Sequence, residues 1–349
     1  MQRKKFISGL FTAAALPVVG QTSAILSNWP LQPEDQESPK PIKVPPYLKP
    51  GDCIGITCPA GFITLKEIQP AILKLQEWGF EIKIGETVGK KDFTLGGTDE
   101  ERRADFQQLL DDKNVNAILC ARGGYGAVRI IDAIDFSQFK KKPKWIIGFS
   151  DITVLHSHIH KNFGIATLHS KMCNSFPSDW TKAEPIQVET ILSIQKTLSG
   201  EKLNYEAVPN EKNRIGIANG QLIGGNLKTI ESLAGSNSDL HTAGKILFVE
   251  DTGEYLYSID RMFWNLERSG KLSNLAGLII GGFKIKAADS PEEEFGKNLY
   301  DIVLEKTNKY QYPICFDFPV GHQKNNFALK CGIPHQLLIT AEKVSLSEL

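Results

Sequence analysis

Between Gly51 and Asn162 short apolar runs alternate with stretches of helical periodicity, and this alternation limits the fold more than any other feature of the chain. Cys53 to Thr57 is a strand-like run closed by the turn residues Pro59-Ala60-Gly61. Leu65, Ile68, Ile72 and Leu75 then recur at a spacing that places them on one helix face, and Gly79 stands where such a helix would stop. Phe80 to Ile84, Val115 to Ala121 and Trp145 to Gly148 read as further strands, with helices predicted over 127–134 and 151–162. Strands that alternate with helices need a parallel sheet covered on both faces. The predicted class is α/β, with an N-terminal flavodoxin-like or Rossmann-like parallel-sheet domain and a smaller C-terminal α/β domain.

The pattern weakens over 179–213, where polar residues take over, and this stretch reads as an interdomain linker. The expected organisation is therefore an N-terminal domain over 50–178 and a C-terminal domain over 214–349. In the second half Gly220 to Leu227 leads into a helix to about Ala234, Lys245 to Glu250 is a buried-type strand, and Leu275 to Gly281 is another. Helices are predicted over 259–266 and 298–306.

The N-terminus has the layout of a secretory signal. Arg3, Lys4 and Lys5 precede an uncharged run from Phe6 to Val19, and small residues follow at Gly20 and Thr22-Ser23-Ala24. A run of fourteen uncharged residues is too short to span a bilayer comfortably. The reading is a signal peptide over 1–24 and a proline- and charge-rich tether over 25–49, giving an exported protein with no stable membrane insertion after signal removal. Lysine plus arginine (40) equals aspartate plus glutamate (40), so there is no cationic surplus of the kind that nucleic-acid binding demands. The run Lys140 to Lys142 is short and reads as a solvated turn. Six cysteines lie far apart without a CxxC pair, and they read as small buried apolar residues.

Ligands of open parallel sheets gather beyond the carboxyl ends of the strands, and three such places carry suggestive residues. In Gly148-Phe149-Ser150-Asp151 a serine follows a strand and precedes a helix, which is where a nucleophile elbow exposes its hydroxyl. The usual second glycine is replaced by Ile152. A serine before Asp-Ile-Thr would also cap the helix well, and the segment alone favours that plainer reading. Arg122-Gly123-Gly124-Tyr125-Gly126 lacks the lysine-hydroxyl pair of a Walker loop and the spacing of a dinucleotide fingerprint. Its glycines allow close backbone approach and suit half of an oxyanion hole. The third place is split between Phe248-Val249-Glu250-Asp251 and Asp317-Phe318-Pro319-Val320-Gly321-His322, which offer an acid and a histidine. A serine nucleophile needs such a base, and the base needs a carboxylate to hold its tautomer.

These segments resemble the LD-carboxypeptidase (S66) family in order and spacing: the RGGYG loop, the G-x-S-D turn, the GGN-L segment, the E-D strand end and the F-x-x-G-H segment. The resemblance runs from about Gly51 to Thr340. It implies Ser150 as nucleophile, His322 as general base, and Glu250 as the residue orienting it. The Asp151 N–H with one from Gly123 or Gly124 would form the oxyanion hole, and the site would lie between the domains. Glu254 is a second acid, less well matched to the pattern. Arg122, Tyr125 and Asn226 are candidate substrate-binding residues. The implied reaction is hydrolysis of an L,D-peptide bond that releases terminal D-alanine from a murein tetrapeptide, with no metal or organic cofactor, and with a homodimer as an option carried by the family. One departure concerns the pocket wall: the family often has His-Gly-Pro after the nucleophile helix, whereas this chain has His169-Ser170-Lys171.

Two other readings use the same cleft. One is a peptidyl-nucleotide amide hydrolase of the microcin C self-immunity type, which an aromatic residue on a loop near the pocket would favour; Trp180 is the candidate. The other is a muropeptide-binding protein without catalysis. His156, His158 and His160 alternate, and residues two apart on a helix face different ways, so they do not converge on a metal. Glu100-Glu101-Arg102-Arg103 reads as a solvated helix start.

Overall fold

The strand and helix runs read above fold into two sheets in a computed structural model that describes residues 42–349. The expected signal peptide and most of the tether lie outside the described residues. The strands in chain order are β1 (Cys53–Thr57), β2 (Glu81–Ile84), β3 (Val115–Cys120), β4 (Trp145–Gly148), β5 (Thr167–His169), β6 (Asn204–Ala207), β7 (Gly216–Asn226), β8 (Ile246–Tyr255), β9 (Gly277–Lys286), β10 (Ile314–Cys315), β11 (Leu329–Cys331), β12 (Pro334–Ile339) and β13 (Val344–Glu348). The helices are α1 (Leu65–Glu77), α2 (Asp99–Asp111), α3 (Ala127–Ile130), α4 (Ser137–Lys141), α5 (Thr153–Phe163), α6 (Pro185–Leu198), α7 (Leu227–Ser232), α8 (Leu256–Arg268) and α9 (Leu299–Thr307). Local chemistry sets several starts: Thr64 with Glu67, Thr98 with Glu101 and Asn298 with Asp301 form reciprocal capping boxes at α1, α2 and α9.

Among the described residues the first sheet runs β11-β5-β4-β3-β1-β2. Its five N-terminal strands are parallel and follow the flavodoxin order, which reverses between β1 and β3. The loops that leave these two strands, around Gly61 and Gly123, therefore flank a crevice, and the Gly61 N–H donates to the Gly123 carbonyl at 2.9 Å across it. The second sheet runs β10-β9-β8-β7-β12-β13-β6, parallel through β7 and antiparallel beyond it. Its seven strands outnumber the six of the first, so the second layer is not smaller in strand count. Along β8, Leu247 and Val249 face one core while Ile246 and Phe248 face another. Burial on both faces is why this strand is a continuous apolar run with no alternation.

The expected linker over 179–213 carries structure of both halves. Helix α6 packs Ile191, Ile194 and Leu198 into the core of the first sheet, and β6 pairs with β13 in the second. Polar residues on its outer face masked the helical repeat. The chain also returns, because β11 pairs antiparallel with β5 and completes the first sheet. The last residues read as tether are docked: Tyr47 stacks on Trp145 with ring centroids 5.8 Å apart, and the Trp145 indole N–H donates to the Pro46 carbonyl. Arg102 is a correction to the solvated reading of its segment. It is fully buried, donating to the carbonyls of Pro59, Gly97 and Gly126, and it is paired with Asp99. It thus ties α2 to the loops after β1 and β3.

Candidate functional site

Strand β4 ends at Gly148, and two residues later the chain turns sharply into a short 3-10 turn before α5. Ser150 holds φ = +62°, a left-handed conformation that costs a non-glycine residue roughly 1–2 kcal/mol. Gly148 makes the turn possible, since a Cβ there would sit 2.9 Å from Ile152 Cγ1. Neither the turn nor α5 has a side-chain cap, and among the described residues Ser150 Oγ has no hydrogen-bond partner. The capping alternative is therefore not what the hydroxyl does.

Gly123 lies directly against this serine: a Cβ at 123 would stand 3.1 Å from Ser150 Cβ and 3.3 Å from its Oγ. Among the described residues the Gly123 and Gly124 N–H groups have no acceptor, while the Gly123 carbonyl is engaged by Gly61. Asp151 is buried, and its Oδ2 accepts from the Ala127 N–H at 2.8 Å. Burial raises its carboxyl to about 6, against the lowering pull of that bond and of Arg102.

The second sheet delivers the acid and the imidazole. Glu250, near the middle of β8, is fully buried, and its Oε2 lies 2.5 Å from His322 Nδ1. Gly321 is what allows this: its φ is +102°, and a Cβ there would meet Glu250 Cβ at 2.4 Å. The His322 ring lies 5.0 Å, centroid to centroid, from Phe149, the neighbour of Ser150. No Ser150–His322 hydrogen bond is formed, a looseness common before substrate binds. Glu254 points elsewhere, accepting from Ser258 Oγ at 2.5 Å on α8. The two halves meet close by, where the Asn226 N–H donates to Thr153 Oγ1 at 3.0 Å.

Asn226 caps α7 through its Oδ1 and donates its amide to Asp251, so both ends of its side chain serve the fold. Arg122 is exposed and donates to the Phe62 carbonyl at 2.9 Å, and Tyr125 is exposed on the same loop. The three alternating histidines go three ways: His156 to the Gly148 carbonyl, His158 to Ser238 Oγ, and His160 to Lys245. Five of the six cysteines are buried, Cys53 is half-buried, and all are free thiols.

Sequence reasoning missed Asn326, and it missed the part that His169 plays behind the site. Asn326 is fully buried and its Oδ1 accepts from the Gly321 N–H at 2.7 Å, with His169 Nε2 at 3.2 Å from the same oxygen. It anchors the peptide that presents His322. An asparagine in a run of polar residues gives no signal of this in the sequence. His169 is fully buried, and desolvation holds it well below the usual histidine range.

The LD-carboxypeptidase N-terminal domain matches residues 54–170, and the LD-carboxypeptidase C-terminal domain matches residues 219–337. A Bacillus subtilis protein named "Probable murein peptide carboxypeptidase" is 33% identical over 306 residues, covering 87% of this chain and 94% of that one. The microcin C7 self-immunity protein of Escherichia coli is 24% identical over 329 residues, covering 86% of this chain and 94% of that protein. The crystal structure of muramoyltetrapeptide carboxypeptidase from Oxalobacter formigenes superposes with a TM-score of 0.74 at 27% identity, covering 85% of this chain and 98% of that one. The chain belongs to the LD-carboxypeptidase (S66) family of serine-type carboxypeptidase hydrolases.

Proposed function

We propose that Ser150, His322 and Glu250 form a catalytic triad that hydrolyses the L,D-peptide bond before the terminal D-alanine of a murein tetrapeptide. The observation that carries this is the buried Glu250–His322 pair, 2.5 Å apart, beside a serine in a strained elbow with an unbonded hydroxyl. Glu250 accepts from His322 Nδ1–H, which leaves Nε2 as the base. Ser150 Oγ attacks the scissile carbonyl as Nε2 takes its proton, and the oxyanion is received by N–H groups of Asp151 and of Gly123 or Gly124. The C–N bond then breaks, Nε2 returns the proton to the departing amine, and D-alanine leaves. Water, deprotonated by the same nitrogen, cleaves the acyl-enzyme and restores Ser150. Every proton in this cycle passes through residues of the chain.

The peptidyl-nucleotide reading is less well supported. Trp180, the aromatic it relied on, packs against the first core with the Lys74 ammonium 4.0 Å over its ring. We also propose that the chain is exported, on the basis of the N-terminal segment; N-terminal sequencing of the protein from fractionated cells would place any cleavage point. Mass spectrometry of a disaccharide tetrapeptide incubated with the protein and with Ser150→Ala tests the chemistry. Loss of one alanine with the parent alone supports the peptidase. An intact tetrapeptide with both folded proteins rejects the murein substrate and leaves nucleotide-peptide conjugates or simple binding.

A further inference from the structure

Lys171, the last residue of the segment His169-Ser170-Lys171 that departs from the family pattern, lines a cavity of about 340 Å³ whose wall also includes Gln323, the residue after His322. Its walls include Lys171, Lys284, Lys324, Glu184 and Gln323. Lys324 is paired with Glu184 at 2.6 Å. Lys171 and Lys284, among the described residues, have no carboxylate within ion-pair distance. Lys171 donates to the Gln323 carbonyl at 2.6 Å, and its ammonium stands 5.5 Å from the centre of the Phe149 ring. The cavity wall therefore carries three ammonium groups against one carboxylate, a surplus of two positive charges.

Position links this surplus to the reaction. Phe149 immediately precedes Ser150 and touches His322 as well as Lys171, and Gln323 immediately follows His322. Lys284 stands on β9 two residues beyond Gly282, whose missing side chain leaves room for Gln323. A partly buried ammonium without a counter-charge is costly, and burial together with Lys284 lowers Lys171 to about 8 despite the nearby Glu250. A carboxylate entering the cavity would supply the counter-charge that the partly buried Lys171 lacks, with the exposed Lys284 on the same wall.

We propose that Lys171 and Lys284 form a subsite for a free carboxylate of the peptide substrate. This rests on the murein reading above and names what selects the substrate there. A stem peptide carries such groups at its C-terminus and on its side chains, and both present the same charge to the two ammonium groups.

The test separates the two sources, and it separates binding from hydrolysis. Equilibrium binding is measured by calorimetry on Ser150→Ala protein, with and without Lys171→Met. The probes are a synthetic tetrapeptide as free acid, as C-terminal amide, and as side-chain amide. The free acid is expected to lose about 10- to 100-fold in affinity on Lys171→Met, as for a charge-assisted hydrogen bond. One of the two amides is expected to bind equally to both proteins, and that amide identifies the recognised carboxylate. Lys284→Gln, at an exposed position, repeats the comparison if Lys171→Met lowers the melting temperature sharply. Equal losses for acid and both amides, no loss at all, or no saturable binding of the free acid would each overturn the subsite. Hydrolysis by the parent protein is scored separately: lysine-dependent acid binding without cleavage keeps the subsite and rejects the peptidase reading, and the reverse pattern rejects the subsite alone.

Discussion

Gly123→Ala puts a single methyl group where the proposed chemistry needs empty space. Gly123 does not use a positive φ, so alanine fits the backbone there without strain. The new Cβ would lie 3.1 Å from Ser150 Cβ, 3.2 Å from Met172 Cε and 3.3 Å from Ser150 Oγ. The methionine is flexible and can give way by a few tenths of an ångström, whereas the serine is held by its elbow. Overpacking of this kind costs about 1–3 kcal/mol, offset by about 0.4–1 kcal/mol from the stiffer unfolded chain. The net expectation is a loss of at most about 2.6 kcal/mol, small enough to leave the fold intact. The effect on reaction should be larger. Attack requires a carbonyl carbon roughly 3–3.5 Å from the hydroxyl oxygen, and a displacement of about 1 Å costs about 100-fold. That is about 2.7 kcal/mol in the barrier. The assay is kcat/KM on tetrapeptide, read by chromatography, beside a urea unfolding curve on the same preparation. A loss under about threefold with unchanged stability would mean that substrate does not approach Ser150 across Gly123, and the proposed oxyanion hole would go with it.

Glu250→Gln keeps the volume of the buried side chain but no longer requires the proton on His322 Nδ1; kcat should fall about 10²- to 10⁴-fold with KM little changed, and an unaltered kcat would remove Glu250 from the reaction. Arg102→Met strands three buried carbonyls and should cost about 3–5 kcal/mol in urea unfolding; a cost below about 1 kcal/mol would show that the loops after β1 and β3 hold without it. Asp151 titrates near 6 in the folded chain and near 3.8 in the unfolded one, so the stability it leaves intact below pH 3.8 is lost as pH rises toward 6. Asp151→Asn lacks this loss, and its stability relative to the parent should therefore rise by about 3 kcal/mol between pH 3.5 and 7; a pH-independent difference would refute the assignment. His156, held near 4 by burial, acts in the opposite sense. Its contribution is complete above 6.5 and falls away toward pH 4 as the unfolded chain takes up its proton, so His156→Gln should flatten the acid limb by about 1.4 kcal/mol per pH unit there.

Much of this was legible because the strands are short and end in turn chemistry. Strand β4 and the elbow after it coincide with the apolar run Trp145 to Gly148 and the residues that follow. Glu250 and His322 were identifiable only through the ordered motifs, since their pairing spans 72 residues and no local pattern encodes it. The glycines carry more than the sequence discloses: Gly321 enters the reading only as the residue before His322, yet its missing side chain is what lets Glu250 approach. Arg102 was misread because a charged residue in a charged segment looks solvated, and the three carbonyls that make its burial tolerable come from distant loops. Strand β11 was invisible for a similar reason, being three residues long and dependent on β5 for its pairing.

That returning strand also explains how a site assembled from two sheets can be precise. Glu250 and His322 belong to the second half of the chain, Ser150 to the first, and a hinge between them would leave the distances undefined. Here the chain after His322 runs through Asn326 to β11, which is hydrogen-bonded to β5 of the first sheet over Thr167 to His169. His169 in that strand meets Asn326, and Asn326 holds the N–H of Gly321. The imidazole is thereby tied, by a strand that starts at Leu329, to the sheet whose strand β4 ends at Gly148, just before the serine. The Asn226–Thr153 bond makes a second tie at the start of α5. Two attachments that flank the proposed triad restrict rotation of one half against the other more than a single linker does, and a general base must be held to within about half an ångström to work. Asn326→Ala removes one of the ties while leaving the three side chains of the proposed triad in place. It should lower kcat with little change in KM, and a kcat within twofold of the parent would mean that β11 pairing alone fixes the histidine.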